Sequence, residues 1–144
     1  MDCLTQTLAS GTSMKNVFTY GSLMYPEVFE PVALVSPSSQ RARLDGWSRH
    51  AIRGRTYPAA VPAADSRIDG VVWMGLDGES LQRLDRFEGS EYQRVPIIVT
   101  LPSGEHIAAE IYRWLDRDCI LDQDWSQDEF ERCHLPDFFR IHGA

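Results

Sequence analysis

The sequence predicts an α+β fold in a single domain, and three observations lead there. Two β-rich runs, residues 92–101 and 107–115, flank the turn sequence Pro102-Ser103-Gly104, a hairpin signature. Segments of strand character outnumber those of helical character, without the regular alternation that a doubly wound parallel sheet requires. The length, 144 residues, suits one hydrophobic core.

Residues 16–20 (Asn-Val-Phe-Thr-Tyr) form a β-type run that meets Gly21 and Ser22, so a strand running into a turn is expected. Pro26 suits the first turn of a short helix over 27–34. Pro37, Ser38 and Ser39 make a loop. From 41 to 52, β-type and charged residues alternate as in a strand. Residues 54–66 are rich in Ala and Pro, and Pro58 and Pro62 resist helix and sheet interior alike, which predicts an extended, irregular loop. The apolar run 71–74 after Gly70 reads as a buried strand.

Over 77–87, Leu81, Leu84 and Phe87 share one helical face, and Gly89 is a natural stop. The hairpin follows. Residues 124–141 read as a C-terminal helix that packs through Phe130, Cys133, Leu135, Phe138 and Ile141 and is kinked or split by Pro136. Residues 1–15, polar and rich in Ser and Thr, read as a flexible tail before a domain spanning 16–144. They have neither the basic start nor the apolar run of a secretory signal. A curled or barrel-like sheet is compatible with five strands.

Charge and cysteine content narrow the function classes. A formal net charge of -7 repels phosphate backbones, which argues against nucleic-acid binding. No apolar run approaches the roughly 20 residues of a membrane helix. The three cysteines, Cys3, Cys119 and Cys133, are odd in number and match no structural zinc spacing, as expected of reduced thiols in a cytoplasmic protein. His50, His106, His134 and His142 are scattered without a metal-site spacing, and neither a metal nor another cofactor is expected. No Gly-x-Ser-x-Gly nucleophile elbow is present.

Two short stretches carry candidate chemistry. A strand that ends at Tyr20-Gly21-Ser22-Leu23-Met24 and leads into a helix turns backbone N–H groups outward, where they can hold an anion or a developing oxyanion. Gly21 lets a ligand approach the backbone closely. An ordinary strand-to-helix turn is the alternative. In Leu84-Asp85-Arg86-Phe87-Glu88-Gly89, a carboxyl at a helix C-terminus lies near the negative pole of the dipole, and burial beside Phe87 and Tyr92 raises its proton affinity further. That is what a proton shuttle near neutral pH needs. A solvated Glu before a helix-stopping Gly is the alternative. The four tryptophans, Trp47, Trp73, Trp114 and Trp125, are read as core.

Taken together, these stretches resemble the gamma-glutamylcyclotransferase-like (avirulence-induced-protein-like) superfamily. Tyr20-Gly21-Ser22-Leu23-Met24 resembles its opening motif, and Leu84-Asp85-x-Phe87-Glu88-Gly89-x-x-Tyr92-x-Arg94 its second signature. Tyr57-Pro58-Ala59, Asp69-Gly70-Val71-Val72-Trp73 and the hairpin ending at Ile111-Tyr112 also fit. The resemblance implies a small mixed β-barrel with flanking helices, a substrate pocket around the Tyr20–Leu23 loop, and Glu88 as catalytic acid/base. It further implies a small-molecule gamma-glutamyl substrate, cyclised to 5-oxoproline with release of an amine. Substrate-binding residues are then Tyr20, Gly21, Ser22, Leu23, Tyr57 and Tyr92, with Tyr20 and Tyr92 as walls and hydroxyl donors. Arg94 is a further candidate for pairing with a carboxylate, with a surface role as its alternative. A monomer or weak homodimer is expected. The rival functions are a non-catalytic binding module using the same pocket and an acyltransferase or hydrolase acting on a related amide.

Overall fold

In a computed structural model of the chain, residues 14–135 are described. The sequence readings for residues 1–13 and for Pro136, Phe138, Ile141 and His142 fall outside them. Five strands, β1 (Lys15–Thr19), β2 (Ser39–His50), β3 (Ala59–Leu76), β4 (Tyr92–Thr100) and β5 (His106–Trp114), close into a barrel in the order β1-β3-β2-β4-β5. The pair β1–β5 is parallel, with Val17 opposite Glu110, and the other pairs are antiparallel. This is the α+β, mixed-barrel architecture expected from the sequence. Closure leaves no free sheet edge.

The β4–β5 hairpin runs in register from Tyr92 opposite Trp114 to Thr100 opposite His106. Its connection closes through Gly104, whose φ of +94° is open to glycine at no steric cost. The reading of residues 54–66 as irregular loop is corrected. From Ala59 onward the chain is already in β3, with Ala59, Ala60 and Val61 opposite His50, Arg49 and Ser48. Pro62 is tolerated because it lies where the pairing breaks. Trp47 faces Pro62 but Asp45 faces Arg67, so residues 63–66 have no partners across from Gly46. A proline next to such a bulge removes no ladder hydrogen bond.

Two helices flank the barrel. Pro26 occupies the first turn of α1 (Pro26–Ala33). The helix α2 (Gly78–Glu88) is capped by Asp77, whose side chain accepts from the Ser80 N–H at 2.8 Å. It ends at Gly89, whose φ is +83°. Strand alternation sorts β1 and β5 between two cores. Phe18, Ala109 and Ile111 point into the barrel with Leu44, Val72 and Val99. Val17 and Tyr112 point outward, against Val28, Phe29, Leu81 and Leu84 of the helices. There Phe29 stacks on Trp73 with ring centroids 4.2 Å apart.

After β5 the chain forms a helical turn (Gln127–Glu129) that widens into a π-helical turn (Phe130–His134). Phe130 is buried and Leu135 packs against the helix core, but Cys133 is exposed, contrary to expectation. The wider π turn rotates residue 133 off the face that ordinary helical spacing would share with Phe130. Trp73, Trp114 and Trp125 are core residues, and Trp47 packs partly buried against the barrel core.

Candidate active site

The first wall of the site is the exit from β1. After Thr19 the chain leaves the barrel through Tyr20 and Gly21 and makes one 3-10 turn, Ser22–Met24. The hydrogen bonds of that turn are made by the N–H groups of Met24 (to Gly21 O, 3.0 Å) and Tyr25 (to Ser22 O, 3.2 Å). The amides of Gly21, Ser22 and Leu23 precede those bonds and take no part in them, as at the start of any helix. Glycine is needed at 21 for space. A Cβ there would lie 2.7 Å and 2.8 Å from Cδ and Cγ of Pro58. The turn is anchored from below, because Trp73 donates its indole N–H to Leu23 O at 3.0 Å.

Pro58 belongs to the segment entering β3, so its contact with Gly21 joins two distant parts of the chain. The carbonyl of Pro58 accepts from the Tyr92 hydroxyl at 2.8 Å, and Tyr92 packs edge-on against Trp114. The Tyr20 hydroxyl donates to Tyr112 O at 2.6 Å. Phe18, Thr19, Tyr20, Gly21, Ser22, Leu23, Tyr57, Pro58, Glu88, Tyr92 and Tyr112 thus surround one hollow of about 320 Å³, its open mouth included.

All seven candidate residues therefore meet in one place: Glu88 from the end of α2, Tyr20 to Leu23 from the β1 exit, Tyr57 beside Pro58, and Tyr92 from the start of β4. Tyr20 and Tyr92 line the hollow. They are not free hydroxyl donors, since each gives its proton to a backbone carbonyl. Their oxygens keep acceptor capacity. Tyr57 is held at the rim, where its hydroxyl accepts from Arg55 and donates to Glu91 at 3.3 Å, and where Arg55 and Glu91 pair at 2.8 Å.

Arg94 does not line the hollow. It pairs with Asp85 (Nε to Oδ1, 2.9 Å) and with Glu110. Asp85 in turn accepts from the Tyr112 hydroxyl at 2.6 Å. Sequence reasoning passed over Thr19, Pro58 and Tyr112 as site residues. Pro58 and Tyr112 stand inside motifs already singled out, and the signal for Tyr112 was its place out of phase with the inward-pointing residues of β5.

Among the described residues that line the hollow, Glu88 is the only acidic one, and no Lys, Arg or His is with it. Its side chain makes no hydrogen bond among the described residues. Burial, and then the neighbouring Asp85 carboxylate, push its carboxyl up from 4.5 to about 8. Burial would raise Asp85 as well, but the hydrogen bonds from Arg94 and Tyr112 outweigh it and hold that carboxyl below its ordinary value. Burial and then the charge of Glu88 push the Tyr20 phenol well above 10. Such a site offers one proton-exchanging group near neutral pH, unengaged amides beside it, and aromatic walls. No cluster of three metal-ligating side chains occurs among the described residues, and no helix among them is long and apolar enough to cross a membrane.

Comparison with known proteins agrees with the barrel fold. A family model described as gamma-glutamyl cyclotransferase, AIG2-like, matches residues 17–127. AIG2-like protein A of Arabidopsis thaliana is 35% identical over 127 residues, spanning 87% of this chain and 77% of that protein. AIG2-like protein D of the same plant is 34% identical over 139 residues, spanning 92% and 90%. Among solved structures, a solution structure of an Arabidopsis thaliana protein matches with a TM-score of 0.66 at 32% identity, over 88% of this chain and 87% of that one. A gamma-glutamyl cyclotransferase matches in fold, with a TM-score of 0.64 at 20% identity over 72% and 68% of the two chains. With most of its length matched by the family model, this chain belongs to the gamma-glutamyl cyclotransferase, AIG2-like family.

Proposed function

We propose that the chain is an enzyme that cyclises a gamma-glutamyl amide to 5-oxoproline and releases the amine, with Glu88 as general acid/base. The observation that carries this reading is Glu88 itself: among the described residues it is the one acidic side chain lining the hollow and has no hydrogen-bond partner, and its carboxyl is pushed up to about 8. The substrate's own α-amine attacks its γ-carbonyl carbon. The new C–N bond closes a five-membered lactam, and the amide C–N bond to the leaving amine breaks. Ionised Glu88 takes one proton from the α-ammonium before attack and gives it to the leaving nitrogen, while the second proton, lost by the attacking nitrogen as the lactam forms, ends on the released amine as its ammonium, so Glu88 returns to its starting state. Because the nucleophile is part of the substrate, the chain needs no catalytic Ser or Cys.

The raised proton affinity suits both transfers. An ordinary carboxylate is a poor base toward an α-ammonium that titrates at about 8 or above, whereas a carboxyl titrating at about 8 is nearly matched to it. The hydroxyl oxygens of Tyr20 and Tyr92 can accept from the ammonium. The amides of Gly21, Ser22 and Leu23 suit a developing oxyanion or the substrate carboxylate. Holding amine and carbonyl within attack distance supplies the rest of the acceleration.

The test is incubation with a panel of gamma-glutamyl amino acids, peptides and amines, with 5-oxoproline as the readout. Product is expected from at least one member, with turnover reduced about a hundredfold or more in Glu88→Gln. A Glu88→Gln variant as fast as the parent overturns the role of Glu88. Thermal shifts without product from any panel member would favour the binding-module reading instead.

A further inference from the structure

We infer that Asp85 is a positioning residue for Glu88: clamped by Arg94 and Tyr112, it stands as a fixed negative neighbour one helical turn away and sets the protonation state in which Glu88 meets its substrate. This rests on the reading of Glu88 as the proton-transfer group. Residues three apart on a helix lie on the same side of it, so Asp85 and Glu88 both face the outer wall of the barrel. Asp85 is held there by three hydrogen bonds. Arg94 donates to its two oxygens at 2.9 Å and 3.2 Å, Tyr112 donates to Oδ1 at 2.6 Å, and Arg94 is itself steadied from the far side by Glu110. Such a bidentate arginine fork fixes orientation as well as charge. The clamp reaches the hollow directly, since Tyr112 lines it and the carbonyl of Tyr112 receives the Tyr20 hydroxyl.

The charges around Glu88 leave Asp85 as the distinctive influence. From the β1 exit comes the Tyr20 phenol, from the β3 entrance Tyr57, from β4 Tyr92 and from β5 Tyr112, all lining the same hollow. Burial keeps Tyr20, Tyr92 and Tyr112 neutral far above physiological pH. Arg55 and Glu91 sit beside Tyr57 at the rim and pair with each other. Arg49 donates to the backbone oxygen of Tyr20 and pairs with Asp124 at 2.8 Å. The C-terminal pole of α2 acts in the same sense as Asp85 but belongs to every helix end. Among the described residues Asp85 is therefore the anion held close to Glu88, and Arg94 the cation that moderates it.

The experiment is a ¹³C-carboxyl NMR titration of the full chain without substrate, with the Glu88 signal identified by its loss in Glu88→Gln. Asp85→Asn removes the like charge, and the Glu88 midpoint is expected to fall by about one pH unit, a tenfold loss of proton affinity. Arg94→Gln keeps Asp85 and removes its cation, and the midpoint is expected to rise. Opposite movements are the signature, because a loosened structure would move both variants the same way. An unchanged midpoint in Asp85→Asn, or movement of both variants in one direction, overturns the inference. The pH profile of kcat/KM for 5-oxoproline formation should follow the same order. Failure to form 5-oxoproline refutes the proposed reaction, while the titration still decides the role of Asp85.

Discussion

Replacing Glu88 by glutamine should stabilise the folded chain, by an amount that grows with pH. In the fold the Glu88 carboxyl titrates at about 8, against 4.5 for an ordinary glutamate such as that of the unfolded chain. Between those values the unfolded chain has released its proton and the folded chain has kept it, so stability falls as pH rises across the window and levels off above it. Each pH unit of difference corresponds to about 1.4 kcal/mol, which makes about 5 kcal/mol for the full gap. The side chain keeps some exposure through the mouth of the hollow, and water there relaxes around the ionised form. The expected net gain is therefore about 2–3 kcal/mol at pH 9 and less than about 1 kcal/mol at pH 5. For a chain of this size that is a rise in Tm of about 6–10 °C at pH 9. Thermal melts of parent and variant at the two pH values isolate the effect, because every other carboxylate is common to both proteins. An equal difference at pH 5 and pH 9 would refute the reasoning and return Glu88 to the class of ordinary solvated carboxylates.

Two glycines give further tests. In Gly70→Ala the new Cβ would lie 2.3 Å from the Thr19 carbonyl oxygen, which is backbone and cannot turn away, so a loss of about 3 kcal/mol in urea denaturation is expected. In Gly21→Ala the obstacle is the Pro58 ring, whose carbonyl holds Tyr92. The expected result is a folded protein whose kcat/KM for 5-oxoproline formation falls about tenfold through misplacement of the pocket wall.

Much of the fold could be read locally. The hairpin announced itself through Pro102-Ser103-Gly104, and α2 through the spacing of Leu81 and Leu84, because turn chemistry and helical period are properties of neighbouring residues. The early part of β3 could not be read in this way. Pro58, Pro62 and four alanines look hostile to a strand, and only the break in pairing opposite Gly46 makes Pro62 acceptable there. That break lies in the relation between two strands, and no window on either one contains it. Cys133 failed for a related reason: its exposure follows from a π turn that its own spacing does not signal.

The site divides along the same line. Glu88 and the Gly21 turn were legible as chemical types, one a carboxyl at a helix end and the other a bend with spare amides. What makes Glu88 distinctive is supplied by other elements of the fold: Tyr20 at the β1 exit and Tyr112 of β5 around it, and Arg94 of β4 behind Asp85. A helix end alone contributes well under the gap between 4.5 and about 8, since a dipole acts with about 0.3–1 kcal/mol at an exposed terminus. The larger part comes from enclosure, and enclosure exists only once the barrel closes and brings β1 beside β5. Barrel closure and the raised proton affinity of Glu88 therefore go together. A substitution that loosens the β1–β5 seam should lower the proton affinity of Glu88 even where it touches no residue of the hollow.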